Sequence, residues 1–370
     1  MRRIVPFVLI IAIPTATSLA QTRSKTLDIY DIDTEGGHAV LFVSPSGETA
    51  LLDTGFPGTR DARRIIEAAK AAQISQIDYL VITHYHADHV GGFLELAKLI
   101  PIKHYVDHGV TVQPEQNIES KQAYDAAVAK DPHIVVKPGD KLPITGIDWT
   151  IVSSAGKTLA TNMTGVPGAG QTNPYCAGFV PKNIQVDLEN AESVGSVIAY
   201  GRFRTMDLGD LLWNFEGQLA CPVNRIGTID LLLTTHHGSN WSGVPALIYA
   251  IKPKVAIMNN GSTKGGSVEA FETLESSPGL EDIWQLHWSA NGLLEHNAAG
   301  KFIANLEKPA ITAGVIANPP PPTPPGVRPA AVGNPDHSPA YWIKVSAKSD
   351  GTFTVTNIRN GFSKTYRTGN

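Results

Sequence analysis

Four candidate metal ligands lie within six consecutive residues of this chain, and no other feature restricts its fold so strongly. The ligands are His84, His86, Asp88 and His89. They follow residues 77–83, a short apolar segment typical of a strand buried on both faces. Histidines two positions apart in an extended segment project to the same side, so we expect His84 and His86 to bind one metal ion. Asp88 and His89 lie where the chain turns towards the next element, and we expect them to reach a second ion.

The ligand types indicate which metal and which chemistry to expect. Imidazole and carboxylate ligands, with one position left for water, are typical of catalytic sites holding one or two Zn²⁺ ions, and they also suit Mn²⁺ or Fe. Water bound to such ions becomes a hydroxide nucleophile near neutral pH. The cluster therefore predicts a metal-dependent hydrolase, in which Asp88 is both a ligand and a candidate catalytic residue.

Further motifs along the chain support a family resemblance. The segment THYHADHVGG at 83–92 resembles the HxHxDH signature of the metallo-β-lactamase superfamily. The remaining motifs of that superfamily resemble LLDTG at 51–55, MDLGD at 206–210 and TTHHGS at 234–239, in the same order. The resemblance implies an α/β fold, a four-layer αββα sandwich.

The same resemblance implies roles for individual residues. Asp53 would fix the metal-binding loop without binding metal itself. Asp210 would bridge the two ions; Asp207 competes for this role, but the Gly-Asp pairing favours Asp210. His236 would be the final ligand, with His237 beside it as a catalytic residue contacting substrate or as the alternative ligand.

A narrower resemblance concerns the substrate. The segments DTEGGHA at 33–39, HHGS at 236–239 and NAES at 190–193 resemble the metallo-β-lactamase-like domain of the competence DNA-uptake protein family, although His38 replaces the usual Asp. That family implies a phosphodiester substrate.

One departure from the superfamily pattern concerns the first metal site. β-Lactamases, glyoxalases and lactonases of this type supply a third histidine from a loop near the middle of the chain. Here Asn190 and Ser193 stand in that region, and residues 190–196 contain no histidine. The first ion would then have only His84, His86 and Asp210, which argues against a true β-lactamase and makes this site the weaker one.

The chain order predicts four parts. Residues 1–20 combine a basic start, an apolar run and small residues, typical of a cleaved signal peptide; a buried strand or an uncleaved anchor is the alternative. Residues 25–310 form the metallo-β-lactamase-like domain and 311–340 a proline-rich linker. Residues 341–370 form a β-hairpin, which is too small to be stable alone and therefore packs on the main domain.

Charge and cysteine content add to this picture. Without residues 1–20 the chain has 28 basic and 34 acidic residues, a net charge of −6, which does not favour nucleic acid as a partner. No later segment is long enough to span a membrane. In an exported protein, Cys176 and Cys221 are expected to form a disulfide; in a cytosolic one, either would be a candidate ligand.

The predicted function is a periplasmic or secreted metal-dependent hydrolase acting on a phosphodiester or related ester. A lactone or β-lactam hydrolase and a non-catalytic binding protein that kept the fold are the alternatives. Two further side chains have two interpretations each. His108 either faces the cleft or lies in a polar turn, and Lys264 meets an anionic substrate or, as the sequence favours, is a solvated loop residue. His287 is expected to be structural.

Overall fold

The structure of the chain is a computed structural model that describes residues 26–113, 118–183, 188–306 and 337–369. Two mixed sheets pack face to face and helices cover their outer faces, which confirms the predicted α/β sandwich. The proposed signal segment 1–20 and most of the proposed linker 311–340 lie outside the described residues. Within those residues, no helix is both long and apolar enough to cross a membrane.

The strands fall into two sheets. In chain order they are β1 Thr26–Asp31, β2 Val40–Val43, β3 Thr49–Leu52, β4 Ile77–Val81, β5 Ile102–Asp107, β6 His133–Val135, β7 Lys141–Leu142, β8 Asp148–Ser154, β9 Lys157–Thr158, β10 Gly195–Tyr200, β11 Phe203–Asp207, β12 Leu231–Leu233, β13 Val255–Met258, β14 Asp282–His287, β15 Ile303–Asn305, β16 Ile343–Lys348, β17 Thr352–Asn357 and β18 Ser363–Arg367. The first sheet has the order β18-β17-β16-β1-β2-β3-β4-β5-β6, and the second runs β15-β14-β13-β12-β11-β10-β8-β7, with β9 paired to β8.

The helices are short and lie outside the two sheets. They are α1 Thr59–Ala71, α2 Phe93–Leu96, α3 Glu119–Val128, α4 Leu188–Ala191, α5 Trp213–Ala220, α6 Pro245–Ile251 and α7 Val268–Glu275. The apolar face of α1 contributes Ile65 and Ala69 to a core on the outside of the first sheet. Helices α5, α6 and α7 cover the second sheet in the same way.

Helix α2 is shorter than the sequence pattern predicts. The apolar spacing of residues 90–100 indicates a helix over that whole range, but only the four residues Phe93–Leu96 form one. Close backbone contacts explain the difference. A Cβ on Gly92 would lie 2.0 Å from the carbonyl oxygen of Thr54, and one on Gly91 would lie 2.4 Å from Cδ of Pro57. The two glycines are therefore held by the loop after β3, and the helix begins only after them.

Apolar side chains from both sheets fill the centre of the sandwich. Phe42 of β2 packs edge-on against Trp149 of β8, with ring centroids 5.0 Å apart. Phe203 of β11 meets Phe353 of β17, with centroids 5.1 Å apart. All four side chains are almost completely buried. Such aromatic pairs add to the free energy of burying their apolar surface and fix how the sheets stack.

The C-terminal residues extend the first sheet. Strand β16 pairs antiparallel with β1 along its whole length, from Thr26 opposite Lys348 to Asp31 opposite Ile343. Strands β17 and β18 follow in order, so the segment has three strands where the sequence predicts two. The additional strand, Ser363–Arg367, alternates buried and exposed residues too weakly to be recognised from its pattern.

The ends of two strands bring the histidine-containing motifs together across the sheets. Strand β4 is followed by the loop 83–89, and β12 by the histidine pair at 236–237. Gly209 is the contact between them: it has φ +56°, and a Cβ there would lie 2.9 Å from Cβ of Thr83. The backbone N–H of His236 donates to the carbonyl oxygen of Gly209 at 2.9 Å. Candidate ligands from both sheets therefore share one edge of the sandwich.

Candidate metal centre

Asp53 holds the histidine-rich loop in place from the end of β3. Its Oδ1 accepts a hydrogen bond from the backbone N–H of Thr83 at 2.7 Å, and its Oδ2 accepts one from the Thr83 hydroxyl at 2.6 Å. Its Oδ2 also lies 2.7 Å from Nδ1 of His89. Asp53 is itself fully buried and in the left-handed region, with φ +57°. The bond to Nδ1 leaves Nε2 of His89 as the nitrogen that faces the site.

His38 links Asp53 to a second carboxylate. Its Nδ1 lies 2.8 Å from Oδ2 of Asp53, and its Nε2 lies 3.0 Å from Oδ2 of Asp207. Burial alone would lower the pKa of His38, but the carboxylates of Asp207 and Asp53 outweigh burial and raise this pKa to about 10. His38 is therefore an imidazolium between two carboxylates, and Asp207 is occupied by it rather than by the metal-site histidines.

Two histidines and two carboxylates converge beside this support. Nε2 of His89 lies 3.4 Å from Oδ2 of Asp88 and 3.3 Å from Oδ2 of Asp210. Nε2 of His237 lies 3.3 Å from the same two oxygens. Among the described residues, neither of these buried nitrogens has a hydrogen-bond partner. Buried imidazole nitrogens that approach carboxylates without hydrogen bonding to them fit a cation between them, as Zn²⁺ sites require.

His84 and His86 form a second pair next to this group. Nε2 of His84 lies 3.0 Å from Nδ1 of His86, and the rings of His84 and His89 have centroids 4.0 Å apart. Burial, together with the neighbouring His89 and His86, holds the pKa of His84 well below its usual value. His84 is thus a neutral imidazole whose lone pair is available to a metal ion.

His236 and His237 are both in the left-handed backbone region, with φ +54° and +57°. Strain of this kind costs about 1–3 kcal/mol per residue and is characteristic of functional sites. The conformation turns both imidazoles towards Asp210, which lies 3.5 Å from His236 and 3.3 Å from His237. Of the two, His237 also lies 3.3 Å from Asp88, whereas the sequence gives His236 as the first choice of ligand. Nδ1 of His236 lies 3.3 Å from the hydroxyl of Ser242, beside the site.

Asp210 is the carboxylate that faces the histidines from the second sheet. Burial would raise its pKa, but the neighbouring His237, His236 and His89 hold that pKa well below the usual range. It is therefore an anion near both histidine groups. Its position matches the bridging role that the resemblance implies, whereas Asp207 points to His38.

The segment 190–194 lies where the family would supply another histidine. It pairs with the metal-binding loop, since the N–H of Val194 donates to the carbonyl oxygen of Thr83 at 2.9 Å. Nδ2 of Asn190 lies 3.5 Å from Nε2 of His236. Oδ1 of Asn190 and Oγ of Ser193 are buried and have no hydrogen-bond partner among the described residues. This position therefore offers an amide and a hydroxyl in place of an imidazole.

Lys264 closes one side of the site. Its Nζ contacts Oδ2 of Asp88 and lies 5.3 Å from the ring centroid of Phe56. Its side chain is 37% exposed, so it lies at the mouth rather than inside. Gly265 fixes the loop next to it, because a Cβ there would lie 2.0 Å from the carbonyl oxygen of His237. The structure thus places at the site a lysine that the sequence favoured as a solvated loop residue.

Glu189 is a supporting residue that no sequence motif indicated. Its Oε1 accepts a hydrogen bond from the backbone N–H of Tyr85 at 3.1 Å and lies 2.9 Å from Nε2 of His108. Its Oε2 accepts from the hydroxyl of Thr111 at 2.8 Å and from the N–H of Val112 at 3.0 Å. His108 therefore belongs to a buried network that holds the loop after β5 against the metal-binding loop.

The two cysteines lie away from this centre. Cys176 and Cys221 form a disulfide, which joins the loop before α4 to the end of α5. Neither cysteine sulfur is a ligand of the groups described above.

Comparisons with known proteins give the family context of this site. Residues 33–158 match the model of the metallo-beta-lactamase superfamily. The hydroxyacylglutathione hydrolase of Erwinia tasmaniensis is 32% identical over 114 residues, which are 31% of this chain and 37% of that protein. The beta-lactamase-like protein 2 homolog of Caenorhabditis elegans is 36% identical over 95 residues, 20% of this chain and 32% of that protein. The chain thus spans about a third of the length of these curated relatives.

Among solved structures, the metallo-beta-lactamase fold protein YhfI from Bacillus subtilis has a TM-score of 0.42 at 11% identity, covering 70% of this chain and 95% of that one.

Proposed function

We propose that this protein is an exported metal-dependent hydrolase that acts on a phosphodiester or a related anionic ester. The observation that carries the proposal is the convergence of His89 and His237 on the carboxylates of Asp88 and Asp210, with both Nε2 atoms free of hydrogen bonds among the described residues. Four groups of this type, three of them buried, have little reason to converge unless they hold a cation.

The residues divide into two ligand sets. Asp88, His89 and His237 would hold one ion, with Asp210 shared, and His84 and His86 would hold the other. Zn²⁺ is the first candidate, and Mn²⁺ or Fe suit the same donors. When bound, such ions polarise the scissile group and lower the pKa of a water molecule. Asp53 and His38 keep the ligand side chains oriented throughout.

Lys264 supports an anionic substrate. Its ammonium group contacts Asp88 at the mouth and can turn to a negatively charged group entering beside Phe56. A phosphodiester carries such a charge and a lactone does not. Oδ1 of Asn190 and Oγ of Ser193, buried and without a hydrogen-bond partner among the described residues, would be further polar contacts for a substrate. The HHGS motif and the resemblance to the competence family support the same substrate class.

Ester-type substrates without phosphorus are the second candidate. The match to a hydroxyacylglutathione hydrolase supports a thioester of glutathione, and the superfamily domain supports a lactone or β-lactam. The absence of an imidazole at Asn190 and Ser193 weighs against these in our ordering, because the family members that cleave them use that histidine.

An assay panel separates the candidates. The zinc-loaded protein is compared on bis-p-nitrophenyl phosphate, an acyl homoserine lactone, a hydroxyacylglutathione thioester and nitrocefin. We expect turnover of the phosphodiester, abolished in Asp210→Asn and showing a raised KM in Lys264→Gln. Lys301→Gln, at a surface lysine over Phe302, is the matched control and should leave KM unchanged. Hydrolysis of the lactone or thioester without turnover of the phosphodiester would overturn this ordering.

The non-catalytic alternative and the proposed export have separate tests. A binding protein that only kept the fold would purify without stoichiometric metal and turn over none of the four substrates. Export predicts that the protein recovered from outside the cytoplasm begins at or near Gln21, which N-terminal sequencing reveals.

A further inference from the structure

A second group of two histidines and two carboxylates lies outside the centre described above. It consists of Asp33, Glu35, His287 and His337, and we call it the Asp33 cluster. Their ligand atoms all lie within 4.8 Å of one another. Asp33 and Glu35 belong to the loop after β1, His287 ends β14, and His337 is the first described residue of the C-terminal segment. Three distant parts of the chain therefore meet here.

Each histidine faces both carboxylates through its Nε2 atom. His287 Nε2 lies 2.7 Å from Oδ1 of Asp33 and 3.5 Å from Oε2 of Glu35. His337 Nε2 lies 2.6 Å from Oε1 of Glu35 and 3.2 Å from Oδ2 of Asp33. An imidazole nitrogen carries at most one proton, so it cannot satisfy two carboxylates at once by hydrogen bonding.

Unsatisfied atoms point into the same space. Glu35 has a side chain with 0% exposure, and its Oε2 has no hydrogen-bond partner among the described residues. Nε2 of His337 likewise makes no hydrogen bond within that part of the chain, although an oxygen lies 2.6 Å away. The Asp33 cluster thus repeats what His89 and His237 show beside Asp88 and Asp210.

We propose that the Asp33 cluster is a second, structural metal site that binds a divalent transition ion, Zn²⁺ by preference, through Asp33, Glu35, His287 and His337. Two imidazoles and two carboxylates are a complete tetrahedral set for Zn²⁺. Three of the four residues are buried, and only His337 is partly exposed, with 24% of its side chain accessible. With four protein ligands, no position is left for a substrate, and this separates the site from the catalytic one.

The neighbouring charge is compatible with such an ion. Arg64 is the other charged group in contact: its Nη1 lies 2.9 Å from Oδ2 of Asp33, and its Nη2 lies 3.3 Å from Oε1 of Glu35. Metal binding requires both imidazoles to be neutral, and the two carboxylates and the guanidinium then leave one negative charge for the ion to offset. A buried excess charge is costly, and a divalent ion offsets it while using the nitrogen lone pairs.

The site would join the C-terminal segment to the catalytic side of the molecule. Arg64 already donates to the carbonyl oxygen of His337 at 2.9 Å, which holds this residue over the loop after β1. The same loop continues to Gly36, where a Cβ would lie 2.9 Å from the backbone N of Gly261 and from Cβ of Lys264. A metal in the Asp33 cluster would therefore fix the loop that supports Lys264 and leads to His38.

Metal counting on the full chain tests this proposal. In a background carrying His84→Ala, His89→Ala and Asp210→Asn, which removes one ligand from each set of the catalytic centre and the carboxylate that they share, we expect one tightly held Zn²⁺ per folded chain by native mass spectrometry and elemental analysis. Adding His337→Ala should remove that ion. Adding His296→Ala instead, at a partly exposed histidine that pairs with Glu272, should leave it in place.

A second variant and a second measurement cover loss of folding. Glu35→Gln keeps the size of the side chain while removing its charge, and it should weaken zinc binding in competition with a chromogenic chelator. In the wild-type chain, the same titration should show one more equivalent of tightly bound zinc than in His337→Ala. A background variant that is folded but binds no zinc, or an unchanged count in His337→Ala, would overturn the proposal. The Asp33 cluster would then be a network of protonated histidines and carboxylates.

Discussion

His38 Nδ1 lies 2.8 Å from Oδ2 of Asp53, the same oxygen that lies 2.7 Å from Nδ1 of His89. One carboxylate oxygen therefore fixes two imidazoles, only one of which belongs to the candidate ligands. Because Asp207 holds the far side of His38 at 3.0 Å, the orientation of His89 depends on residues from both sheets.

Replacing His38 should weaken metal binding without touching a ligand. In His38→Ala, Asp53 loses its charged partner on one side and is held by Thr83 and His89 alone, so its carboxylate is less firmly fixed and His89 is oriented less well. Loss of a residue that orients a metal ligand lowers metal affinity by about 10- to 100-fold. Chelator competition measures the effect on both ions. His104→Ala is the control, since His104 stacks on Tyr79 away from the centre. Equal affinities in His38→Ala and wild type would show that Asp53 needs no second partner.

The two adjacent histidines should differ in their effect on metal content. His237 Nε2 lies 3.3 Å from both Asp88 and Asp210, whereas His236 Nε2 lies 3.5 Å from Asp210 and pairs with no other carboxylate of the group Asp88, His89, Asp210 and His237. His237→Ala should therefore remove one ion or weaken its binding by at least the ~100-fold that loss of a ligand's hydrogen-bond partner can cost. His236→Ala should retain the ion. Elemental analysis of the two variants, purified in parallel, checks this, and the reverse result would restore His236 as the ligand.

The local motifs were predictable from the sequence because their spacing encodes geometry. His84, His86, Asp88 and His89 lie within six residues after a buried strand, and the αββα sandwich is what the family resemblance of the motifs implied. The assignment between His236 and His237 was not predictable in this way. It depends on two left-handed backbone conformations that ordinary residue preferences do not encode.

Contacts between distant parts of the chain had no local signal. Glu189 reaches Tyr85 across 104 positions, and His287 reaches Asp33 across 254 positions. A lone buried glutamate or histidine resembles many others in sequence, and only the fold shows its partners. The same limit applies to His38. It stands where the family pattern has Asp, and its role became clear only when the fold showed Asp207 beside it.

Removing the charge of Glu189 should destabilise the fold around the metal-binding loop. Its carboxylate accepts hydrogen bonds from Tyr85, Thr111 and Val112 and contacts His108. In Glu189→Gln, one oxygen becomes an NH₂ group that faces donors, and the buried pair with His108 is lost. We expect a loss of about 3 kcal/mol in the free energy of unfolding. Urea titration measures this free energy, and Glu192→Gln, at a less buried glutamate, is the control. If Glu189→Gln loses no more stability relative to wild type than this control does, the assigned role of Glu189 is wrong.

Glu216 predicts how stability changes with pH. The side chain is fully buried in α5, where its Oε2 accepts a hydrogen bond from the N–H of Val244 at 2.9 Å. Burial raises its pKa from 4.5 to about 7, against the opposing effects of its hydrogen bonds and of Lys182, the charged group that acts on it. The folded protein thus keeps this carboxyl protonated over a range in which the unfolded chain has lost the proton.

The sign of the effect follows from that difference in proton binding. The stability linked to Glu216 is fully present below pH 4.5 and is lost as the pH rises through about 7. Glu216→Gln has a neutral side chain of the same shape, so this variant does not lose stability through ionisation at this position. Between pH 5 and pH 8, wild type should therefore lose up to about 3 kcal/mol relative to this variant. Urea titrations of both proteins at each pH measure the difference, in which the titration of all other groups cancels. Parallel stability curves would mean that Glu216 is ionised in the folded protein and that its charge is satisfied within α5 and its neighbours.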